Sequence, residues 1–412
     1  MTRCLRRSPP VMRPSDSAHE SPSSRDRLSR CRLPSSKCHV LLALAAVLLA
    51  LATACGQIAK PEGWSAGVVI DDMTVGTRTY DALVIGTRDG TLIALDRTNG
   101  ATIWSYELQG EEEVRAVYGT PVYANDTIYF SGYDGSLYAL SAAGSLQWRE
   151  QVGDGEPLVG GPSMVDGVLL ATSSDGRLYA FEPESGSRTW SVETDNMVWS
   201  TPVVADGIAY FGSMDRTLYA VNVATGTIAW RFEAGASITG AITVHQGRVY
   251  AGAFDGVMYA LDAALGLELA RYEGANGWYW AKPVIYGGVL YAPSLDGNVY
   301  GLDVSTLLPV RPTVETDDPV SASPVVVGER LVVPSNDGTI RLARLADGGD
   351  VRRCEIDSRI RSLTASGNVV YLSAHDKSIR ALVIDSNGDP DEDWSRFTDR
   401  DEPEPSDRSR PC

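Results

Sequence analysis

The sequence has few of the residues that build metal sites and disulfide frameworks. Its 412 residues include four His and six Cys, and the cysteines are scattered along the chain. His245 and His375 stand without a Cys or an acidic residue at metal-ligand spacing, so neither indicates a zinc site. We therefore expect no metal centre, and no fold that depends on a set of disulfides.

Positive charge is also scarce outside the amino terminus. The chain has 36 basic and 53 acidic residues and a formal charge of −17, yet residues 1–54 alone hold nine basic and three acidic residues. The remainder therefore has 27 basic and 50 acidic residues, a formal charge of −23. Such a body repels nucleic-acid phosphates and anionic lipid headgroups, and we expect no nucleic-acid partner.

The main apolar run is too short for an ordinary transmembrane helix. Val40–Ala54 would extend roughly 22 Å as a helix, less than the hydrocarbon thickness of a bilayer. It follows a leader, residues 1–39, that is rich in Arg, Ser and Pro, and this order predicts an export signal within residues 1–54. The segment Leu51-Ala52-Thr53-Ala54-Cys55 resembles a bacterial lipoprotein signal, which implies that Cys55 becomes the acylated first residue.

Cleavage at this signal would determine which cysteines remain in the protein and where the protein is located. Only Cys354 and Cys412 would remain beside an acylated Cys55, and we expect both as free thiols. Residues 55–63 would form a lipidated tether of at most about 28 Å. The resemblance implies a body held at the outer membrane on its periplasmic face, or at the outer face of the cytoplasmic membrane.

A repeat of about 41 residues organises the rest of the chain. It is clearest over residues 199–230, and its intervals range from 39 to 45 residues. Eight units fill residues 64–398, and the tail at 399–412 is rich in Pro and charge, so we expect that tail to be disordered. The recurring anchor is an Asp, found at Asp89, Asp134, Asp175, Asp215, Asp255, Asp296, Asp337 and Asp376.

Each unit contains four short strand signals separated by turns. In the fourth unit these are Pro202–Ala205, Ile208–Gly212, Thr217–Val221 and Thr227–Phe232. Asp206-Gly207 has the composition of a two-residue hairpin turn, in which Gly supplies positive φ. The third strands read close to Leu-Tyr-Ala-Leu, which is apolar on both faces. The pattern predicts an all-β fold, an eight-bladed β-propeller of four-stranded antiparallel blades.

The fourth strands carry a Trp after a Gly-containing turn, at Trp104, Trp148, Trp190 and Trp230. We expect these indoles to pack between blades. The whole phrase, Asp-Gly, Leu-Tyr-Ala-Leu-Asp, Thr-Gly and Trp, resembles the pyrroloquinoline-quinone repeat over residues 64–398. This resemblance implies the propeller fold but leaves two functional branches.

The two branches differ in whether the propeller is an enzyme. Quinoprotein dehydrogenases hold a quinone and calcium, and their adjacent Cys pair is missing here. The other branch is BamB-like: non-catalytic, lipid-anchored propellers without cofactor. The signal, tether and blade number resemble this second branch. We expect a monomeric scaffold that binds envelope proteins, possesses no cofactor and is not an enzyme. A quinone-dependent oxidoreductase and a sensor or glycan-binding propeller stay open as alternatives.

Partner binding is expected on the end of the ring that we call the funnel face. Two kinds of connection lie on this face: those from each fourth strand to the next blade, and the turns from second to third strands. The connections between blades vary in length and chemistry, as binding loops do. They predict an acidic and locally aromatic face, with core packing as the alternative role for its rings. The candidate residues are Trp64, Glu111, Glu112, Glu113, Tyr118, Trp199, Trp278, Tyr279 and Trp280.

Two other features have mainly structural interpretations. The anchor Asp residues precede Gly or another turn residue, so we expect them to cap turns rather than act as acids or bases. Asp385–Asp393 has oxygens at alternate positions, like a calcium loop. Pro390 stands where such a loop needs Gly and Arg396 where it needs Glu, so an acidic loop is the preferred interpretation.

The first unit has a longer hairpin, Asp71 to Tyr80, that predicts a flap away from the funnel face.

Overall fold

A computed structural model describes residues 66–109, 115–240, 242–349 and 351–398. These residues form 32 strands in eight four-stranded antiparallel sheets, each made of four consecutive strands. The predicted eight-bladed β-propeller is confirmed. The described residues contain no helix, and hence none that could cross a bilayer. The leader, Cys55, the tether and the tail after residue 398 lie outside the described residues.

The strands of each blade run from the ring axis to the rim in chain order. Blades 1 to 4 comprise β1 Val68–Val75, β2 Arg78–Gly86, β3 Thr91–Asp96, β4 Thr102–Glu107; β5 Val122–Ala124, β6 Thr127–Ser131, β7 Ser136–Ser141, β8 Leu146–Gln151; β9 Ser163–Val165, β10 Val168–Ser173, β11 Arg177–Phe181, β12 Arg188–Glu193; β13 Val203–Ala205, β14 Ile208–Gly212, β15 Thr217–Asn222 and β16 Ile228–Glu233. Blades 5 to 8 comprise β17 Thr243–His245, β18 Arg248–Gly252, β19 Met258–Asp262, β20 Glu268–Tyr272; β21 Val284–Tyr286, β22 Val289–Pro293, β23 Asn298–Asp303, β24 Pro309–Glu315; β25 Val325–Val327, β26 Arg330–Pro334, β27 Thr339–Arg344, β28 Arg352–Glu355; β29 Ile360–Ser366, β30 Val369–Ala374, β31 Ser378–Ile384 and β32 Pro390–Phe397.

The middle strands of each blade form the core. In blade 4, Leu218–Val221 are almost fully buried, because both faces of the sheet are covered by neighbouring blades. The hairpin turn before them has Asp206 at φ 50° and Gly207 at φ 73°, as predicted for a two-residue turn with two left-handed positions. The four strands of this blade begin and end within one residue of their predicted bounds.

The anchor Asp residues close the turns between second and third strands. One carboxylate oxygen of Asp215 accepts the Thr217 backbone N–H at 2.8 Å, and the other accepts the Tyr219 hydroxyl at 2.7 Å. These contacts use both oxygens in local structure, in agreement with the predicted capping role. The Asp–Tyr hydrogen bond is 2.5 to 2.8 Å long in four other blades, in the pairs Asp134–Tyr138, Asp175–Tyr179, Asp255–Tyr259 and Asp296–Tyr300.

Fourth-strand Trp residues join neighbouring blades by one repeated contact. Trp230 packs on Gly266 in the next blade, and its Nε1–H donates to the Ala263 carbonyl at 2.9 Å. Glycine is required there because a Cβ would collide with the indole ring. The contact joins five pairs of blades, through Trp104, Trp148, Trp190, Trp230 and Trp394, with hydrogen bonds of 2.8 to 3.0 Å.

The ring closes between blades 8 and 1 through this contact. Trp394 packs on Gly100 and donates to the Arg97 carbonyl at 2.8 Å. An ion pair between the Lys377 ammonium and the Asp89 carboxylate, at 3.0 Å, lies across the same junction. Both end blades have four strands of their own, so the ring closes by packing between complete blades.

The junction between blades 5 and 6 replaces both partners of this contact. Ala270 stands at the position of Trp230, since it pairs with Ala260 as Trp230 pairs with Ala220. Leu307 stands at the position of Gly266 and keeps its left-handed backbone, with φ 54°. Its side chain is 1% exposed and belongs to the same apolar cluster as Ala270. We infer that a leucine from the turn fills the space that an indole fills elsewhere.

The first blade contains the predicted longer hairpin. Strands β1 and β2 extend to Val75 and Arg78, and their register shifts between Ile70 and Met73. This bulge turns Met73 inwards, where it is fully buried in the cluster shared by blades 1 and 2. The flap is therefore packed at its base.

Cys354 corrects the expectation of free thiols. It is fully buried on β28 and is disulfide-bonded. No other cysteine falls within the four described ranges, so its partner is one of the remaining five. Spacing along the sequence could not reveal this bond, because a pairing depends on which cysteines the fold brings together.

The exchange at the junction of blades 5 and 6 can be tested by a double-mutant cycle. Leu307→Gly should lower the free energy of unfolding. Loss of the side chain should cost about 2 to 4 kcal/mol, and relief of the left-handed backbone conformation should offset about 1 kcal/mol of this cost. Ala270→Trp should cost about 1 to 3 kcal/mol through overpacking. The double variant should lose clearly less than the sum, because it recreates the contact of the other junctions. Urea unfolding measures all three. Leu308→Gly, at an exposed neighbour, is the control, and strict additivity would contradict the exchange.

Candidate functional site

The mouth of the axial funnel is a ring of equivalent residues that lie just before the inner strands. Blades 2 to 7 contribute Tyr118, Val159, Trp199, Thr239, Trp280 and Ser321. Aromatic residues therefore alternate with smaller ones around the mouth. Tyr118 is 7% exposed and Trp199 and Trp280 are half-buried, so the rings form walls of the mouth and leave its centre open.

Some predicted site residues lie outside the described residues. These are Trp64 and the three acidic residues Glu111, Glu112 and Glu113, together with the lipid-attachment candidate Cys55. Of the described candidates, Trp199 is fixed by a hydrogen bond from its Nε1–H to the Ser174 hydroxyl at 3.0 Å. Tyr118 packs edge-to-face against Tyr133, with ring centroids 5.3 Å apart.

Three aromatic rings form an exposed ladder at the junction of blades 5 and 6. Phe254 stacks on Trp278, with centroids 4.6 Å apart and planes 11° apart, and on Trp280 at 5.8 Å and 22°. Trp278 is 52% exposed. Its carbonyl accepts the Leu295 N–H at 2.9 Å, so the exposed ring stands on a fixed backbone. We call Phe254, Trp278 and Trp280 the aromatic ladder.

Tyr279 does not belong to this surface. Its side chain is 1% exposed and packs against Gly252, where a Cβ would collide with it. Burial strongly raises the pKa of its hydroxyl. Adjacent residues of an extended segment point in opposite directions, and here Trp278 and Trp280 turn outwards while Tyr279 turns into the core. We therefore remove Tyr279 from the candidate binding surface.

The funnel mouth continues into an axial channel. This channel has a volume of about 660 Å³ and is walled mainly by Val and Pro residues of the inner strands. Lys282 lines both the mouth and the channel. Its side chain is reached by water, yet it is surrounded by the channel wall, and this desolvation lowers its pKa.

The funnel face has a basic cluster in addition to the predicted carboxylates. Exposed carboxylates of Asp154, Asp195 and Glu273 lie on the connections after blades 2, 3 and 5. Near the junction of blades 8 and 1, burial and then repulsion from Arg361, Arg88 and Arg359 lower the pKa of His375. The arginines come from chain segments about 270 residues apart, so the sequence does not display this basic sector.

The remaining candidates for metal binding have local partners. The Asp385 carboxylate accepts the backbone N–H groups of Asn387 and Asp389, both at 2.8 Å, and so closes the outer turn of blade 8. The His375 Nδ1 lies 2.8 Å from a nitrogen of Arg361. Within the described ranges, no group of three or more His, Cys, Asp or Glu residues could hold a metal ion.

Sequence reasoning missed two residues of the site. Phe254 precedes the anchor Asp255, in a turn, and Lys282 precedes a Pro, at the start of an inner strand. The repeat pattern gives neither position a role beyond that local structure. A comparison of units position by position offers a signal. Lys282 stands where the other units have Thr, Gly, Ala or Ser, and Phe254 stands where blade 4 has Met214.

Comparison with known families identifies the repeat. A family model described as outer membrane protein assembly factor BamB matches residues 57–197, 134–244 and 174–306, which together span more than half of the chain. The outer membrane protein assembly factor BamB of Nitrosomonas eutropha is 26% identical over 133 residues, 32% of this chain and 31% of that protein. Quinoprotein ethanol dehydrogenase of Pseudomonas aeruginosa is 32% identical over 147 residues, 31% of this chain and 22% of that protein.

These curated relatives are matched over about a third of their length or less. Solved structures match more completely. BamB from Moraxella catarrhalis superimposes with a TM-score of 0.61 at 18% identity, over 76% of this chain and 94% of that chain. The computationally designed Ika8 protein gives a TM-score of 0.68 at 17% identity, over 78% and 96%. At these identities the likeness to the solved structures shows the fold alone.

The aromatic ladder can be tested as an interacting unit. Phe254→Ala and Trp278→Ala should show a coupling of about 0.5 to 1.5 kcal/mol in the free energy of unfolding, the range for aromatic pairs. Phe254→Ala combined with Leu308→Ala, at the opposite end of the blades, should be additive. Chemical unfolding of the single and double variants measures the coupling. Additivity of the Phe254 and Trp278 pair would show that the rings do not support each other.

Proposed function

This chain belongs to the family of the outer membrane protein assembly factor BamB, and on that premise we propose that its propeller is a non-catalytic protein-binding scaffold of the cell envelope. As a scaffold, it would assist in the assembly of outer-membrane proteins. The ring is complete with one chain, so a monomer suffices for this function.

The exposed aromatic ladder is the observation that carries the proposal. Large rigid rings bury much apolar surface at low entropic cost, and they are enriched among the residues that dominate protein–protein binding. Trp278 projects from a backbone held by blade 6, with Phe254 stacked behind it. Neighbouring carboxylates, such as Glu273, supply a polar rim. Such a surface suits a protein partner whose contact region is apolar at its centre and basic around it.

The donor set of the funnel argues against the quinone alternative. Calcium takes about six to eight oxygen ligands, carboxylates above all. The residues that line the mouth and channel include the cations Lys282 and Arg361 and no Asp or Glu in the part of the chain that the structure describes. These residues do not fit a calcium-bound quinone. The similarity to a quinoprotein dehydrogenase therefore supports a common repeat, and we assign no oxidation to this chain.

The disulfide at Cys354 supports export. Disulfides form and persist in oxidising compartments and are rare in the bacterial cytosol. Under the proposed processing, cleavage removes Cys4, Cys31 and Cys38, and acylation occupies the Cys55 sulfur. Cys412 is then the one cysteine left to pair with Cys354. We place the protein at the periplasmic face of the outer membrane, anchored through Cys55.

The pairing can be read directly by mass spectrometry. Non-reducing peptide mapping of the protein from native membranes should give a linked peptide that contains Cys354 and Cys412. Cys412→Ser should leave Cys354 reactive towards a thiol reagent after denaturation, whereas Cys31→Ser should change nothing. A Cys354 linked to a cysteine of the leader would contradict processing at Cys55.

Partner binding can be tested by crosslinking in the native envelope. Trp278→Ala should abolish most crosslinks to envelope proteins, because the ladder loses its outermost ring. Leu308→Ala is the matched control, since Leu308 is 63% exposed and lies on a turn at the opposite end of its blade. Both variants should unfold at nearly the same urea concentration as the parent chain.

One result would contradict the ladder as the binding surface, and another would contradict the scaffold itself. Crosslinks that survive Trp278→Ala but vanish in Leu308→Ala would move the binding surface to the other face. Capture of cell-wall glycans with no crosslinked protein would favour the glycan-binding alternative, since aromatic platforms also stack on sugars.

A further inference from the structure

The axial channel contains a charged residue at a position where the repeat has small ones. The position before the inner-strand Pro or Ile holds Thr120, Gly161, Thr201, Ala241, Lys282 and Ser323 in blades 2 to 7. All but Lys282 are neutral. The whole chain contains four lysines, at 37, 60, 282 and 377. A lysine beside the axis therefore differs from the repeat pattern and is also a rare residue type in this chain.

Nothing in the described structure neutralises this lysine. Its backbone N–H donates to the Ser323 hydroxyl at 2.9 Å, which fixes the residue in the wall. Its ammonium has neither an ion pair nor a hydrogen bond to any described residue, and the described lining contains no Asp or Glu. Lys377 differs, because its ammonium is 3.0 Å from the Asp89 carboxylate. A cation partly removed from water gains most from an anionic partner.

The wall below Lys282 is mainly apolar and has few backbone hydrogen-bond donors. It includes a ring of prolines, Pro121, Pro162, Pro202, Pro283 and Pro324, that have no backbone N–H. Between them lie Val side chains and Met164. A peptide in this channel would leave many of its amides without partners, whereas an aliphatic chain has no such groups. The channel volume of about 660 Å³ lies within the range of small-molecule sites.

The mouth adds groups that suit an anionic head. Thr239 lines it and is 8% exposed, and its hydroxyl has no hydrogen-bond partner among the described residues. Trp199 and Trp280 narrow the opening on either side of it. The charged end of a ligand would thus meet the Lys282 ammonium at the level where the mouth becomes the channel, with the buried Thr239 hydroxyl behind the wall of the mouth.

We propose that the axial channel binds an aliphatic carboxylate, with the Lys282 ammonium holding the carboxylate and the ring of prolines and valines holding the alkyl chain. This site shares Trp280 with the aromatic ladder at the mouth, but its charged residue and its apolar wall are different, and it goes beyond the scaffold function. Binding requires both parts of the ligand, since the charge and the apolar body contact different levels of the channel.

The four lysines make the proposal directly measurable. Reductive methylation of the purified full chain with ¹³C-formaldehyde gives few NMR signals, and Lys282→Arg identifies the signal of Lys282. Octanoate should shift that signal saturably and leave the Lys377 signal in place. Acetate, which lacks the alkyl chain, and octylamine, which has the opposite charge, should not shift it at the same concentrations.

A substitution tests the role of the charge. Lys282→Met keeps the length of the side chain and should weaken octanoate binding by at least about tenfold in calorimetry, as expected for loss of a charge-assisted bond. An unchanged midpoint of urea unfolding would show that the ring is intact. The proposal is overturned if octanoate leaves the Lys282 signal unmoved, if acetate binds equally well, or if Lys282→Met binds octanoate as tightly as the parent chain.

Discussion

The burial of each blade on both faces is the constraint on which this structure depends. A sheet whose middle strands are apolar on both sides cannot be stable alone, because each exposed face would leave its side chains in water. Stacking in a closed ring covers every face. The contact of Trp with the Gly of the next blade fixes the distance between neighbours, and Trp394 applies the same contact between the last blade and the first.

Departures from the repeat fall into two physical classes. Ala270 and Leu307 depart together, lie in one buried cluster and compensate each other, so their chemistry is that of packing. Lys282 departs alone and faces water, and Trp278 is half-exposed although it stacks on Phe254. An uncompensated, solvent-facing departure indicates selection for binding more clearly than a compensated one, because a structural role would require a complementary change nearby.

Most of the fold could be predicted from the sequence, because each unit repeats the same turns, buried strands and indole. The anchor Asp and the left-handed hairpin at Asp206 both follow from local chemistry, whereas the contact of Trp394 that closes the ring is seen only in the structure. The site was less predictable. Within Trp278-Tyr279-Trp280 the sequence does not reveal which ring points inwards. Arg88 and Arg361 meet only because the ring closes, and the disulfide of Cys354 depends on how the chain folds around it.

The funnel face combines a symmetric scaffold with an asymmetric distribution of chemistry. The hairpins between first and second strands, on the opposite face, are two-residue turns, whereas the funnel face has the aromatic ladder at blades 5 and 6 and has Arg88, Arg359 and Arg361 beside Asp89 and Asp376 at blades 8 and 1. A partner with complementary chemistry would meet this asymmetric face best in one rotational setting about the axis. Rotational symmetry alone would allow eight equivalent settings. The irregular connections therefore contribute orientation as well as contact area, and a rigid ring is the support that allows them to do so.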